Sequence, residues 1–279
     1  LAPWLFAGTL LCTNWLLCFS RCPAPLCVTG SHDSFSCHKD EASLVGPEQP
    51  DSVQNLVLVL GSVGRRLARR WLATQSLDVS RQLAAGVRYL DLRVSTKARD
   101  PDNQLYFAQG LPSGAVSAGL ADISRFLAAQ PREVVLLDFN HFYGLQKCHH
   151  EALVRALREA FGEKLCPVTF TEEVSLRYLW DWGYQVLVFY HHPVALDVPF
   201  LWPGQMMPSS CANTTDPDKL SVSLGTALAQ RHRRPGTFFV SPLVLTPKPS
   251  TMMRAVAGET GTGHLPSHTP SRSPSHTPS

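Results

Sequence analysis

The segment Val87 to Val94 reads VRYLDLRV, and two regularities in it decide the fold. Its apolar residues are close to continuous, as in a strand covered on both faces, where a half-solvated strand would alternate. At its far end Asp91 and Arg93 stand two apart, so both side chains leave the strand on one face. Outward from this segment the same grammar repeats. Strand-length apolar runs occur at Leu105–Gln109 (LYFAQ), Glu133–Phe139 (EVVLLDF), Gln185–Tyr190 (QVLVFY) and Thr237–Val240 (TFFV), and a further strand ends at Gly30. Between them Ser76–Ala85, Gly119–Ala129, His149–Phe161 and Asp218–Arg231 each place Leu, Ile, Val or Ala on one helical face. Strand then helix, repeated, implies parallel pairing and an α/β fold. The expectation is a TIM-like (β/α) barrel truncated after about six strands, because a complete one takes about 250 residues. The usable span, Val28 to Ala257, ends after the sixth strand. A barrel stopped there is expected to leave an open edge.

The 279 residues carry 25 Lys+Arg against 22 Asp+Glu, a formal net charge of +3, with 44% hydrophobic and 17% charged residues. So even a balance lacks the basic stripe that nucleic acid needs, and no nucleic-acid partner is expected. The apolar content excludes a wholly disordered chain. Cys12, Cys18, Cys22, Cys27 and Cys37 crowd the first part of the chain without a CxxC pair, and are read as thiols rather than a disulfide framework or metal knot. Leu1 to Ser20 are uncharged and rich in Leu, Trp and Phe. They read either as a targeting or anchoring segment or as an alternative start; the basic flank of a signal peptide is missing. From Gly258 the chain turns into a Ser/Thr/Pro/His tract in which PSHTPS occurs twice, and disorder is expected there. The expected organisation is an atypical hydrophobic segment (1–27), an incomplete barrel (28–257) and a disordered tail (258–279).

In barrels of this kind the catalytic groups project from the C-terminal strand ends. Five such ends here carry polar clusters: Gly30-Ser31-His32-Asp33-Ser34, Asp91 with Arg93, Gln109-Gly110, Asp138 with Asn140, and Tyr190-His191-His192. The pairs His149-His150 and His191-His192 are not expected to bind metal, since neighbours in sequence point different ways.

The ordered series GSHDSF, WLATQSL with QLAAGVRYLDLR, LYFAQG, EVVLLDFNHFYG, YQVLVFYH and VPFLWPGQMMP resembles the X domain of phosphatidylinositol-specific phospholipase C. It resembles most the animal proteins built of this catalytic barrel alone. The resemblance covers about residues 30 to 257. It implies a phosphoric diester hydrolase that cleaves phosphatidylinositol, with the inositol 2-hydroxyl as nucleophile. It implies that His32 is the base, with Asp33 as its acidic neighbour. It further implies that Asp91 and Arg93 form the Asp-x-Arg pair in which a guanidinium occupies the place of calcium, so that no metal and no cofactor are expected. Arginine is permanently charged and presents a planar fork to phosphate. Asp138 and Tyr190 are the expected contacts to inositol hydroxyls.

Two departures from the family pattern weaken the expected activity. Gln109 stands where the second catalytic histidine belongs, and Gln has no proton to give near neutral pH. The family's final strands, with an acidic residue that orients a histidine, are replaced by the PSHTPS tract. The expected enzyme is therefore weak or inactive. The alternatives are a non-catalytic inositol-lipid-binding module and a metal-dependent glycerophosphodiesterase-like barrel, although Arg93 sits where the latter needs an acid. Phe200, Leu201 and Trp202, in PFLWPGQMMP, are expected on the barrel rim, where they would touch a bilayer. The expected setting is cytoplasmic with peripheral membrane contact.

Overall fold

The computed structural model describes residues 13–18, 27–37, 74–97, 104–108, 112–209, 211–234 and 236–246, all within one compact unit, Leu1–Thr246. Gln109 and the tract from Gly258 lie outside the described residues. The main sheet runs β8-β7-β6-β3-β2-β1-β9. Its strands are β1 (Thr13–Cys18), β2 (Cys27–Ser31), β3 (Val87–Thr96), β6 (Val135–Tyr143), β7 (Val186–Tyr190), β8 (Leu201–Pro203) and β9 (Phe239–Pro242). From β2 through β3, β6 and β7 to β8 every pair is parallel, as the strand–helix alternation implies. The helices are α1 (Val79–Ala84), α2 (Val116–Ala129), α3 (Lys147–Phe161), α4 (Leu176–Trp182) and α5 (Pro217–Gln230).

Two expectations are corrected. Leu105–Ala108 (β4) is not a parallel barrel strand. It folds back antiparallel on the end of β3, Val94 opposite Phe107, and forms a hairpin with β5 (Pro112–Ala115). Segment 97–104 is too short for the crossover of a dozen or more residues that parallel pairing demands. Among the described residues the sheet does not close, in keeping with the expected open edge: β1, from the apolar N-terminal run, pairs antiparallel with both β2 and β9, and β8 and β9 are its two ends. Where β8 and β9 end the sheet, the Phe238 N–H donates to the Met206 carbonyl at 2.8 Å. Finally, Phe200, Leu201 and Trp202 are not a bilayer-facing rim. Leu201 and Trp202 form β8, all three are buried, and the Trp202 indole N–H donates to the Cys166 carbonyl at 3.1 Å. An apolar run this short fits a buried strand as readily as a loop, and burial of an indole with a satisfied N–H outweighs its exposure at an interface.

The period of two along each strand sorts the core into layers. Leu90, Leu92, Val135, Leu137, Val186 and Val188 pack outward against Leu120, Ile123 and Leu127 of α2 and Leu153 and Leu157 of α3. Tyr89, Leu136, Leu187, Phe189, Trp202, Phe238 and Val240 fill the barrel interior. Asp91 and Arg93 share parity with Tyr89, and Asp138 with Leu136, which carries them to the interior at the C-terminal ends. The turn after β2 is seated by aromatic packing: Phe35 stacks on Phe107 with centroids 3.8 Å apart, and both lie against Gly119 of α2. A Cβ at Gly119 would stand 2.5 Å from Phe35 Cε1 and 2.6 Å from Phe107 Cε2. Gly119→Ala gains roughly 1 kcal/mol of helix propensity, but forcing a methyl into a filled core costs about 1–3 kcal/mol. A lowered urea midpoint is expected; a raised one would mean that the stacked rings yield without cost.

Candidate active site

His32 follows β2 directly, and the turn that carries it is fastened on two sides. The Ser34 N–H donates to the Asp91 main-chain carbonyl at 3.0 Å and the Asp33 N–H to the Asp91 carboxylate at 3.1 Å. The His32 carbonyl accepts from Thr74 and Gln75, and the Ser34 carbonyl from Gln82 of α1. Asp33 takes a left-handed backbone, φ 45°, which Asp tolerates better than most non-glycine residues. That turn directs its carboxylate inward.

Four sequence-predicted residues converge here. His32 Nδ1 lies 2.6 Å from Asp91 Oδ2, and His32 Nε2 lies 3.0 Å from Asp33 Oδ2. Arg93 Nε lies 2.7 Å from Asp33 Oδ1. Asp33 and Asp91 are buried, and His32 and Arg93 half-buried. Burial acts to lower the His32 pKa, but the hydrogen bond that His32 donates to Asp91 and the charges of Asp33 and Asp91 outweigh it and the opposing charge of Arg93, so the net shift is upward. Burial works against ionised Asp91, yet His32, Arg93 and Asn140 hold it well below the usual carboxylate range. Arg93 is desolvated too, and Asp33, Asp91 and Tyr143 keep it firmly charged.

Asp138 extends the cluster, while Tyr190 does not join it. Asn140 bridges Asp91 Oδ1 at 2.5 Å and Asp138 Oδ2 at 3.3 Å. Asp138 also accepts from the Tyr89 hydroxyl at 2.7 Å and meets His191 Nε2 at 2.9 Å. Tyr190 points the other way, into the outer layer, where its hydroxyl meets His150 Nδ1 of α3 at 2.7 Å. Its hydroxyl is thus turned away from the Asp91 cluster, although Tyr190 also lines the cavity beside His191. Tyr89, Asn140 and His191 were not singled out as site residues from sequence. Parity with Asp91 marks Tyr89, and the strand-end clusters contain Asn140 and His191, although the reach of Asn140 to Asp91 depends on the register shift between Leu92 and Arg93.

His32, Asp33 and Asp91 place one ligand atom each within 4.8 Å of one another and are the one metal-ligating cluster among the described residues. Arg93 already stands against Asp33 within this cluster. Cys148, Cys166 and Cys211 are free thiols. Among the described residues no helix is long and apolar enough to cross a membrane. Beside His191 a cavity of about 520 Å³ is lined by His191, His192, Pro193, Leu196, Gly204 and Gln205, among others. The space against Asp33 and Arg93 is only about 10 Å³.

The fold, with His32, Asp33, Asp91 and Arg93 at its strand ends, is that of the phosphatidylinositol-specific phospholipase C barrels. The phosphatidylinositol-specific phospholipase C of Listeria monocytogenes superposes with a TM-score of 0.54 at 16% identity, covering 83% of this chain and 78% of that one, which shows the fold. No protein-family model matches. The chain is 63% identical over 231 residues to PI-PLC X domain-containing protein 3 of Danio rerio, covering 83% of the chain and 71% of that relative. It is 60% identical over 232 residues to the Homo sapiens protein of the same name, covering 83% and 72%. PI-PLC X domain-containing protein 2 of Homo sapiens is 46% identical over 233 residues, covering 84% and 75%. The chain belongs to the PI-PLC X domain-containing proteins.

Proposed function

We propose that this chain is a phosphoric diester hydrolase of the phosphatidylinositol phospholipase C type that works without a metal ion, with residues 28–257 as its catalytic unit. The observation that carries this reading is the paired geometry at the barrel mouth: a histidine on a buried carboxylate beside a guanidinium on a second one. The inositol 2-hydroxyl attacks phosphorus and passes its proton to His32, taking the place that Asp33 Oδ2 holds at Nε2. Asp91 orients the ring through Nδ1 and stabilises the imidazolium that forms. Arg93 meets the charge that develops on the phosphoryl oxygens. Its fixed charge beside Asp33 favours a metal-free reaction over an ion held by His32, Asp33 and Asp91. The substrate is a phosphatidylinositol presented at a lipid surface in a cytoplasmic setting. Leu196, 78% exposed beside the large cavity, is placed for the surface contact that β8 cannot make.

Release of water-soluble inositol phosphate from phosphatidylinositol vesicles tests this reading, and its pH dependence tests the role of His32. A base must be neutral to accept a proton, and the His32 pKa lies above its ordinary value of 6.5. The acidic limb of the rate profile should therefore fall above pH 6.5, with rate increasing as pH rises through it. Asp91→Asn should move the limb downward and reduce the rate. A limb at or below 6.5 would contradict the assignment. A second reading, a lipid-binding module without turnover, is favoured by Gln109 alone, since Gln cannot protonate a leaving group. Vesicle binding without product would establish it.

A further inference from the structure

If the chain cleaves phosphodiesters, as proposed above, the proton that Gln109 cannot give has to come from another group at the mouth. We infer that His191, held by Asp138 and opening on the large cavity, is the general acid for the leaving alcohol.

The geometry carries this in four steps. First, Leu187 and Phe189 lie in the interior layer, so His191, two residues beyond Phe189, continues on the inward face at the end of β7. Second, His191 Nε2 stands 2.9 Å from Asp138 Oδ1, and Tyr89 and Asn140 brace the other oxygen of the same carboxylate. A ring fixed through Nε2 keeps Nδ1 as its working nitrogen, and among the described residues no hydrogen bond to Nδ1 is made. Third, the ring rests on Gly204, where a Cβ would come within 2.5 Å of His191 Cγ and Nδ1. Only glycine leaves room for this placement. Fourth, apolar surface lies beside His191: the cavity of about 520 Å³ carries Pro193, Ala195, Leu196 and Pro203 among the polar Tyr190, His192, Gln205 and Ser209, whereas His32, Asp33, Asp91 and Arg93 form a wholly polar cluster. A diacylglycerol leaving group belongs on that apolar surface, next to His191. Burial acts to lower the His191 pKa, but the hydrogen bond and charge of Asp138, with the charge of Asp91, raise it overall, which favours the proton-bearing form at neutral pH.

The step balances. As the 2-hydroxyl oxygen bonds to phosphorus and its proton passes to His32, the bond from phosphorus to the glycerol oxygen breaks and its electron pair stays on that oxygen. The proton on His191 Nδ1 moves to it. The products are the cyclic inositol phosphate and neutral diacylglycerol, with His191 neutral and still donating through Nε2 to Asp138. Water restores the proton.

The test compares two leaving groups in the 279-residue chain: phosphatidylinositol, and an aryl ester of inositol 1-phosphate, whose phenolate leaves unaided. His191→Gln is expected to slow release from phosphatidylinositol by about 10²- to 10⁴-fold, the usual worth of a positioned acid, and to spare the aryl ester. Gly204→Ala, which displaces the ring without removing it, is expected to give the same selective loss. Equal losses on both esters would overturn the acid role. So would an undiminished rate in His191→Gln accompanied by a gain from Gln109→His, which would return the acid to the position after β4. If His32→Ala abolishes turnover and His191→Gln does not affect it, only the inference falls. If the parent cleaves neither ester, the diesterase reading falls and takes the inference with it.

Discussion

His32→Ala is expected to lower the release of inositol phosphate from phosphatidylinositol by about 10⁴-fold, the upper end of what a positioned base contributes. The fold should tolerate the change. Asp91 keeps Asn140 and the Asp33 N–H as hydrogen-bond donors, and Asp33 keeps Arg93. The turn remains held through the main-chain bond from Ser34 to Asp91. Loss of rate in a variant that still melts cooperatively, at a somewhat lower temperature because the buried carboxylates lose His32, would therefore isolate the base. Initial rates on vesicles, set beside a melting curve of each variant, make the comparison. A variant within tenfold of the parent would mean that another group takes the proton.

The second large effect concerns Arg93. Arg93→Ala removes the guanidinium from Asp33, a carboxylate only 3% exposed and close to Asp91. Breaking a buried pair by deleting one partner costs about 3–5 kcal/mol, because the remaining charge is stranded. His32 stays within 3.0 Å of Asp33 and offsets part of this at pH values where it is charged, so the loss should be larger in alkaline buffer. The sign follows from the raised His32 pKa: its stabilising contact is fully present below the ordinary value and fades as pH rises through the folded one. Arg93→Lys should keep much of the stability and still lose rate, since a single ammonium cannot present the planar fork. The urea midpoint, with an unchanged slope, measures the stability term. A cost below about 1 kcal/mol would place the pair with ordinary surface ion pairs.

Much of the barrel was legible because parallel strands covered on both faces leave a strong mark. VRYLDLRV, EVVLLDF and QVLVFY became β3, β6 and β7, and polar residues at their ends meet in the candidate site. His32, Asp33, Asp91 and Arg93 were found because a short motif and a spacing of two are local features. The same continuity hid other things. In VLVFY every residue is buried, so no alternation says which face turns inward. The Tyr190 hydroxyl meets His150 while His191 meets Asp138, since a step of one residue along a strand exchanges its faces. The charge-free run containing Thr13–Cys18 gave no sign of being a strand, because what stabilises it is pairing with β2 and β9, remote in sequence. Trp202 suggested an interface by residue type, and its burial depends on Cys166, Phe189 and Phe238 meeting around it. Asn140 reaches Asp91 through a register shift that no pattern announces.

The measurement that bears most directly on the central claim is phosphorus NMR of phosphatidylinositol vesicles incubated with the 279-residue chain in an excess of chelator. The account predicts the appearance of cyclic inositol phosphate, matched by diacylglycerol in the lipid phase, and the loss of both with His32→Ala. No phosphorus product, or product that forms only when a divalent cation is restored, would contradict it.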